Sequence, residues 1–156
     1  MTIVTATDFS KQSATALVEA AREAERAQVN LVCAHVMEEW RAHSSWERLV
    51  GETAELREQM YQERVARLNA FCRERLDDDV IAPERVTRRV LTGSPSARIL
   101  ELADEVDASR IVIGSAGVGA LAANFLGSTA NDLVRRSPRP VLVVPPHEET
   151  QAPRTG

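Results

Sequence analysis

The sequence predicts a doubly wound α/β fold on a five-stranded parallel sheet with helices on both faces. Three observations lead there. Short apolar runs rich in β-branched residues, such as Ile111-Val112-Ile113 and Val141-Leu142-Val143-Val144, suit strands covered on both sides. Helical stretches alternate with these runs in the order β-α-β-α-β-α-β-α-β. Glycine and hydroxyl residues punctuate the strand-to-helix turns, most densely between Arg110 and Pro146.

The bounds agree with a single domain. The chain has 156 residues, enough for one sizeable core. Its hydrophobic fraction of 44% and charged fraction of 27% are those of an ordinary globular protein. A net charge of −4 without a basic run argues against a nucleic-acid partner held through phosphates. No apolar run reaches membrane-spanning length, and the chain enters a strand almost at once, so the expectation is no leader, no membrane and a cytoplasmic location. Cys33 and Cys72 lack CxxC spacing and read as buried thiols in a reducing compartment.

Thr2 to Thr7 is the first expected strand. Asp8 or Ser10 then caps a helix from about Lys11 to Ala27, with Ala14, Leu17, Val18, Ala21 and Ala24 on its inner face. Val29 to Val36 is the second strand, and strand-helix-strand implies a right-handed parallel crossover. The stretch Met37 to Leu49, with Trp40, His43 and Trp46, reads as a loop or a lid. A long helix follows from about Glu52 to Leu76. Leu56, Met60, Val65, Leu68 and Phe71 or Cys72 form its expected inner stripe, and Glu55, Arg57, Glu58, Glu63, Arg64 and Arg67 its wet face. Asp77-Asp78-Asp79 ends it as a solvated turn, because three adjacent carboxylates do not share a face for a metal.

Val86 to Leu91 is a strand nearer an edge, since Arg88 and Arg89 interrupt it. Ser94 and Pro95 suit the N-cap and first position of a short helix carrying Ile99, Leu100, Leu102, Ala103 and Val106. The next strand contains Ile111 to Ile113 and stops at Gly114. Asn131 to Arg136 is helical, with Arg135 and Arg136 in the turn where the macrodipole favours cations. Pro138 and Pro140 stop it, and Val141 to Val144 is the last strand. The domain is expected over 1–146, with a frayed polar tail over 147–156.

The glycines of this last stretch suggest an anion site. Their spacing is Gly114-x2-Gly117-x9-Gly127-Ser128, followed by Thr129. Glycine lets a backbone approach a ligand closely, and a helix starting at Gly127-Ser128-Thr129 presents unpaired N–H groups and two hydroxyls. No lysine follows the last glycine as in a P-loop, and the glycines are wider apart than in a dinucleotide fingerprint. Glycines are also needed at any parallel strand-to-helix turn, so spacing alone leaves packing and phosphate binding both open. Asp8 likewise reads either as a helix cap or as a group for a ribose hydroxyl or Mg²⁺. His35 reads as packed or hydrogen-bonded, since no Ser or Cys stands at a spacing that suggests catalysis.

These motifs, with the SPRPVLVVP run ending at Pro145, resemble the universal stress protein family in its ATP-binding branch. The resemblance runs from Ile3 to Pro146 and is weakest between Trp40 and Leu76. It implies the sheet order 3-2-1-4-5, which would bring Asp8 beside Gly114. It also implies an adenine-nucleotide site for ATP, AMP or ADP with Mg²⁺. Val36 would lie by the adenine, with Ala6 and Thr7 as further wall and Ile113 in the same site. Asp8 would touch the nucleotide and hold Mg²⁺ through the phosphates. Gly114 and Gly117 would line the ribose and first phosphates, Gly127, Ser128 and Thr129 would donate to the terminal phosphates, and Ser115 would add a donor. Family members often carry a cation in the loop that here reads Val118 to Asn124, which has no charge. The resemblance further implies a homodimer through strand 141–144, protein clients and a regulatory role in the stress response. A scaffold that has lost its nucleotide and a slow ATP hydrolase remain as alternatives.

Overall fold

Among the described residues, four α-helices and five strands build one sheet. The computed structural model describes residues 1–38, 54–116 and 126–146. Trp40, His43, Trp46, Gly117, the loop Val118 to Asn124 and the tail 147–156 lie outside the described residues. The elements are β1 (Thr2–Ala6), α1 (Lys11–Ala27), β2 (Asn30–Met37), α2 (Ala54–Arg75), β3 (Val86–Thr92), α3 (Pro95–Glu105), β4 (Ala108–Gly114), α4 (Ser128–Arg136) and β5 (Val141–Val144). A single turn of 3-10 helix, Pro83–Arg85, precedes β3.

The strands are all parallel, in the order β3-β2-β1-β4-β5. The chain therefore winds outward from β1 to β3, returns to β4 beside β1, and winds the other way to β5. The first leg uses α1 and α2 on one face, and the second uses α3 and α4 on the other. Two cores result. One joins Ile3, Leu31, Cys33 and Val112 to Leu17, Ala21, Leu68, Phe71 and Cys72 under α1 and α2. The other joins Val4, Ala34, Ile111 and Ile113 to Ile99, Leu102 and Leu133 under α3 and α4.

Local chemistry explains most boundaries. Ser10 caps α1 and its Oγ accepts from the Ser13 N–H at 3.2 Å, while Asp8 Oδ1 accepts from the Ser10 N–H at 3.0 Å. Gln28 ends α1 in the left-handed conformation, φ 56°. Ser94 occupies the N-cap of α3, yet its side chain makes no capping hydrogen bond. Asp77 closes its turn by accepting from the Val80 N–H at 3.2 Å. Among the described residues no cluster of acidic, His or Cys side chains fits a metal ion.

Two expected faces are corrected. In α1 the buried alanines are Ala16, Ala20, Ala21 and Ala24, while Ala14 and Val18 are half-buried. In α2 the inner stripe is confined to Leu68, Phe71 and Cys72, and Leu56 and Met60 are 43% and 37% exposed. Length is the reason. A helix of 22 residues extends about 33 Å. The eight residues of β2 extend only about 26 Å. The helix is about 7 Å longer than the strand before it, and its buried residues all lie between Leu68 and Cys72.

Candidate functional site

The winding direction reverses between β1 and β4, and the carboxyl ends of these strands form the crevice where open α/β sheets take their ligands. Thr5 lies opposite Val112, which brings the Thr7-Asp8 turn level with the end of β4 at Gly114. Gly114 has no room for a side chain. A Cβ there would stand 3.2 Å from the carbonyl carbon and oxygen of Gln12 in the first turn of α1.

On the α3/α4 face, Ala6, Val36 and Ile113 belong to one apolar cluster, Ala6 and Ile113 buried and Val36 half-buried. They make an apolar wall at the end of three adjacent strands. Thr7 points elsewhere. Its hydroxyl pairs with Ser13 Oγ at 2.7 Å and accepts from the Phe9 N–H at 2.9 Å. Its N–H donates to the Ala34 carbonyl at 2.8 Å. Asp8 is exposed at the tip of the turn. Phe9 is held at φ 68°, in the left-handed region that costs a bulky residue roughly 1–2 kcal/mol.

Beyond β4 the backbone of Ser115 ties three elements together. Its N–H donates to the Val144 carbonyl at 3.0 Å, and its carbonyl accepts from the Gly127 N–H at 2.7 Å. The Gly127 amide is therefore occupied, in contrast to the expectation of an unpaired donor there. Ser115 Oγ is buried and has no hydrogen-bond partner among the described residues. An orphaned hydroxyl of this kind calls for a polar guest or water. Gly127 is also the N-cap of α4 and contributes no side chain, so the start of α4 at Ser128 and Thr129 is left without a side-chain cap. Ser128 is exposed and Thr129 half-buried.

On the α1/α2 face His35 is packed and hydrogen-bonded, as the sequence suggested, and two arginines join it that the sequence did not place there. His35 is 5% exposed. Its Nδ1 lies 2.8 Å from the Thr7 carbonyl oxygen and its Nε2 lies 3.4 Å from Arg64 Nη1. Its ring packs on Phe9 with centroids 4.3 Å apart, Phe71 meets Phe9 edge-on at 5.5 Å, and the Arg67 guanidinium lies 4.2 Å above the Phe9 ring. Burial lowers the His35 pKa, and Arg64 and Arg67 lower it further, while the Thr7 carbonyl and Asp8 pull the other way. Both arginines were expected on the wet face of α2. The sequence signal was faint: two arginines three residues apart on the turn preceding Leu68 and Phe71.

The family model for universal stress proteins matches residues 1–145. The chain belongs to the universal stress protein family. A universal stress protein of Mycobacterium tuberculosis H37Rv is 38% identical over 72 residues, which are 46% of this chain and 25% of that one. Universal stress protein G of Escherichia coli O157:H7 is 39% identical over 64 residues, 41% of this chain and 44% of that one. The matched stretches thus span a quarter to under half the length of these relatives. Among solved structures, the universal stress protein UspA from Lactobacillus plantarum shares the fold at TM-score 0.74 and 23% identity, over 92% of this chain and 97% of that one. A universal stress protein crystallised in complex with cAMP is similar at TM-score 0.63 and 29% identity, over 92% and 96%. As in the expected family arrangement, the sheet order of this universal stress protein is 3-2-1-4-5. No helix among its described residues is long and apolar enough to cross a membrane.

Proposed function

We propose that this universal stress protein binds an adenine nucleotide in the crevice between β1 and β4, and that occupancy regulates its interactions with client proteins in a stress response. The observation that carries this reading is the buried, unpartnered Ser115 hydroxyl beside the uncapped start of α4. A phosphate is the guest that such donors favour. The cAMP complex of a 29% identical relative supports the adenine.

In this reading Ala6, Val36 and Ile113 wall the base, and Asp8 takes a ribose hydroxyl or Mg²⁺ bridging the phosphates. Gly114 and Gly117 allow close approach of the ribose and first phosphates. Ser128 and Thr129 donate to the terminal phosphates, with Gly127 supplying the turn. ATP with Mg²⁺ is the first choice, with AMP and ADP as alternatives.

The test is the identity of any nucleotide released from freshly purified protein, together with melting curves with and without Mg-ATP. Co-purified nucleotide, or a raised Tm that Asp8→Ala and Ser128→Ala reduce, supports the proposal. Neither nucleotide nor stabilisation at millimolar ligand overturns it.

A homodimer through β5 is a second proposal, supported by Leu142, which is 39% exposed on the last strand of the sheet.

A further inference from the structure

The buried side-chain atoms that lack a hydrogen-bond partner among the described residues are Thr5 Oγ1, Gln12 Oε1, Arg98 Nε and Ser115 Oγ. Gln12 and Ser115 flank Gly114. Ser115 follows it in the chain. Gln12 stands against it from the first turn of α1, since a Cβ on Gly114 would lie 3.2 Å from the carbonyl carbon and oxygen of Gln12. The N-cap of α4 closes in beyond Ser115: a Cβ on Gly127 would lie 3.2 Å from the Ala116 Cα. The starts of α1 and α4 thus meet around the end of β4. The Ser13 and Ala14 donors of α1 are engaged elsewhere. The Ser13 N–H goes to Ser10 Oγ at 3.2 Å, the Ser13 hydroxyl to the Ser10 carbonyl at 2.8 Å, and the Ala14 N–H to the same carbonyl at 3.0 Å. A buried acceptor left without a donor is costly.

The chemistry of the orphan selects its guest. A carboxamide oxygen only accepts, and so do ionised phosphate oxygens. The adenine amine donates, but the wall of Ala6, Val36 and Ile113 belongs to the α3/α4 core, whereas α1 covers the opposite face of the sheet. Of the groups on an adenine nucleotide, the sugar hydroxyls are the donors that remain. We infer that Gln12 reads the sugar of the bound nucleotide, its carboxamide oxygen accepting from a ribose hydroxyl at Gly114, and so selects ribonucleotides over their deoxy counterparts. This rests on the nucleotide reading above and adds to it a residue outside the glycine motif. Gln12 is half-buried in the first turn of a helix that Ser10 caps, so its backbone is fixed at the end of β4 before a ligand arrives. Ser115, whose hydroxyl both donates and accepts, is left for the adjoining phosphate. The Gln12 bond is gained only with the hydroxyl present, and a deoxy analogue forfeits it.

Calorimetric titration of the wild type with Mg-ATP and with its 2′-deoxy and 3′-deoxy analogues tests this. ATP is expected to bind about five- to tenfold tighter than one of the two analogues. Gln12→Met, similar in length and without the acceptor, is expected to bind ATP and that analogue equally, at the affinity the wild type has for the analogue. Gln12→Glu keeps an acceptor oxygen and is expected to retain the preference, although its charge weakens both. Equal wild-type affinities for the three nucleotides, a preference that survives in Gln12→Met, or one that is lost in Gln12→Glu overturns the inference and leaves the nucleotide reading standing. A wild type that binds none of them overturns both. Should Gln12→Met fail to fold, Gln12→Ala takes its place.

Discussion

His35 donates from Nδ1 to the main-chain carbonyl of Thr7, and together with the Arg64 contact at Nε2 that bond favours the neutral ring. A carbonyl only accepts, so Nδ1 carries the hydrogen. The guanidinium of Arg64 only donates, so Nε2 presents its lone pair. The imidazole is therefore neutral, and protonation at Nε2 would set a cation against Arg64 and near Arg67.

This makes stability depend on pH in a definite direction. The folded-state pKa of His35 lies below its ordinary value of 6.5, so between the two values the unfolded chain binds more protons. Stability from this group is complete above pH 6.5 and falls as pH drops towards the folded pKa. Melting curves from pH 8 to about pH 5 are expected to show Tm declining below about 6.5. His35→Gln is expected to have a lower Tm at pH 8 and to lack this part of the decline. A decline of equal size in both proteins contradicts the assignment.

Thr7→Val is expected to cost about 1–3 kcal/mol, because it leaves the Phe9 amide without its acceptor and takes away the hydroxyl paired with Ser13 Oγ, which itself donates to the Ser10 carbonyl. Each kcal/mol lowers Tm by about 2–4 °C at this chain length. Thr7→Ser is expected to restore most of it, which chemical denaturation of the three proteins checks.

Phe9 separates backbone strain from ring contacts. At φ 68° glycine is favoured over alanine by roughly 1 kcal/mol. Both Phe9→Gly and Phe9→Ala lose the contacts with His35, Phe71 and Arg67 and are expected to be less stable than the wild type. Phe9→Gly is expected to be the more stable of the two, in reverse of their order in a helix.

Ser115→Ala distinguishes a ligand role from a structural one. The hydroxyl has no partner among the described residues, so its removal is expected to change the stability of nucleotide-free protein by less than about 0.5 kcal/mol. The same change is expected to reduce the Tm gain from Mg-ATP. Gly114→Ala behaves differently. Its Cβ would press on Gln12 at 3.2 Å, and a loss of about 1–3 kcal/mol is expected even without ligand.

Leu142→Lys tests the proposed dimer. Leu142 is exposed in β5, so the substitution leaves the monomer core intact. Light scattering at tens of micromolar is expected to give a dimer for the wild type and half that mass for the variant. A monomeric wild type removes the proposal.

The succession of elements was legible because its signals are local. Alternation of apolar runs with helical periodicity located the five strands and four helices of the described residues, and the bounds of α1, Lys11 and Ala27, were read directly from its cap and composition. The arginines of β3 marked it as an edge strand before the sheet order was known. Within α1 the alanines blurred the inner face, since Ala14 and Ala16 carry the same signal and only one is fully buried.

The sequence by itself determined a parallel α/β sheet with a glycine turn after β4, because period, turn chemistry and capping act between neighbours in the chain. Only the tertiary structure decided that α2 turns Arg64 and Arg67 towards His35 and Phe9, that Cys72 joins Cys33 in one core, and that Ser115 captures the Gly127 amide. A helix with charges on most of its surface has no strong preference for one rotation about its axis. The sheet beneath it supplies the choice.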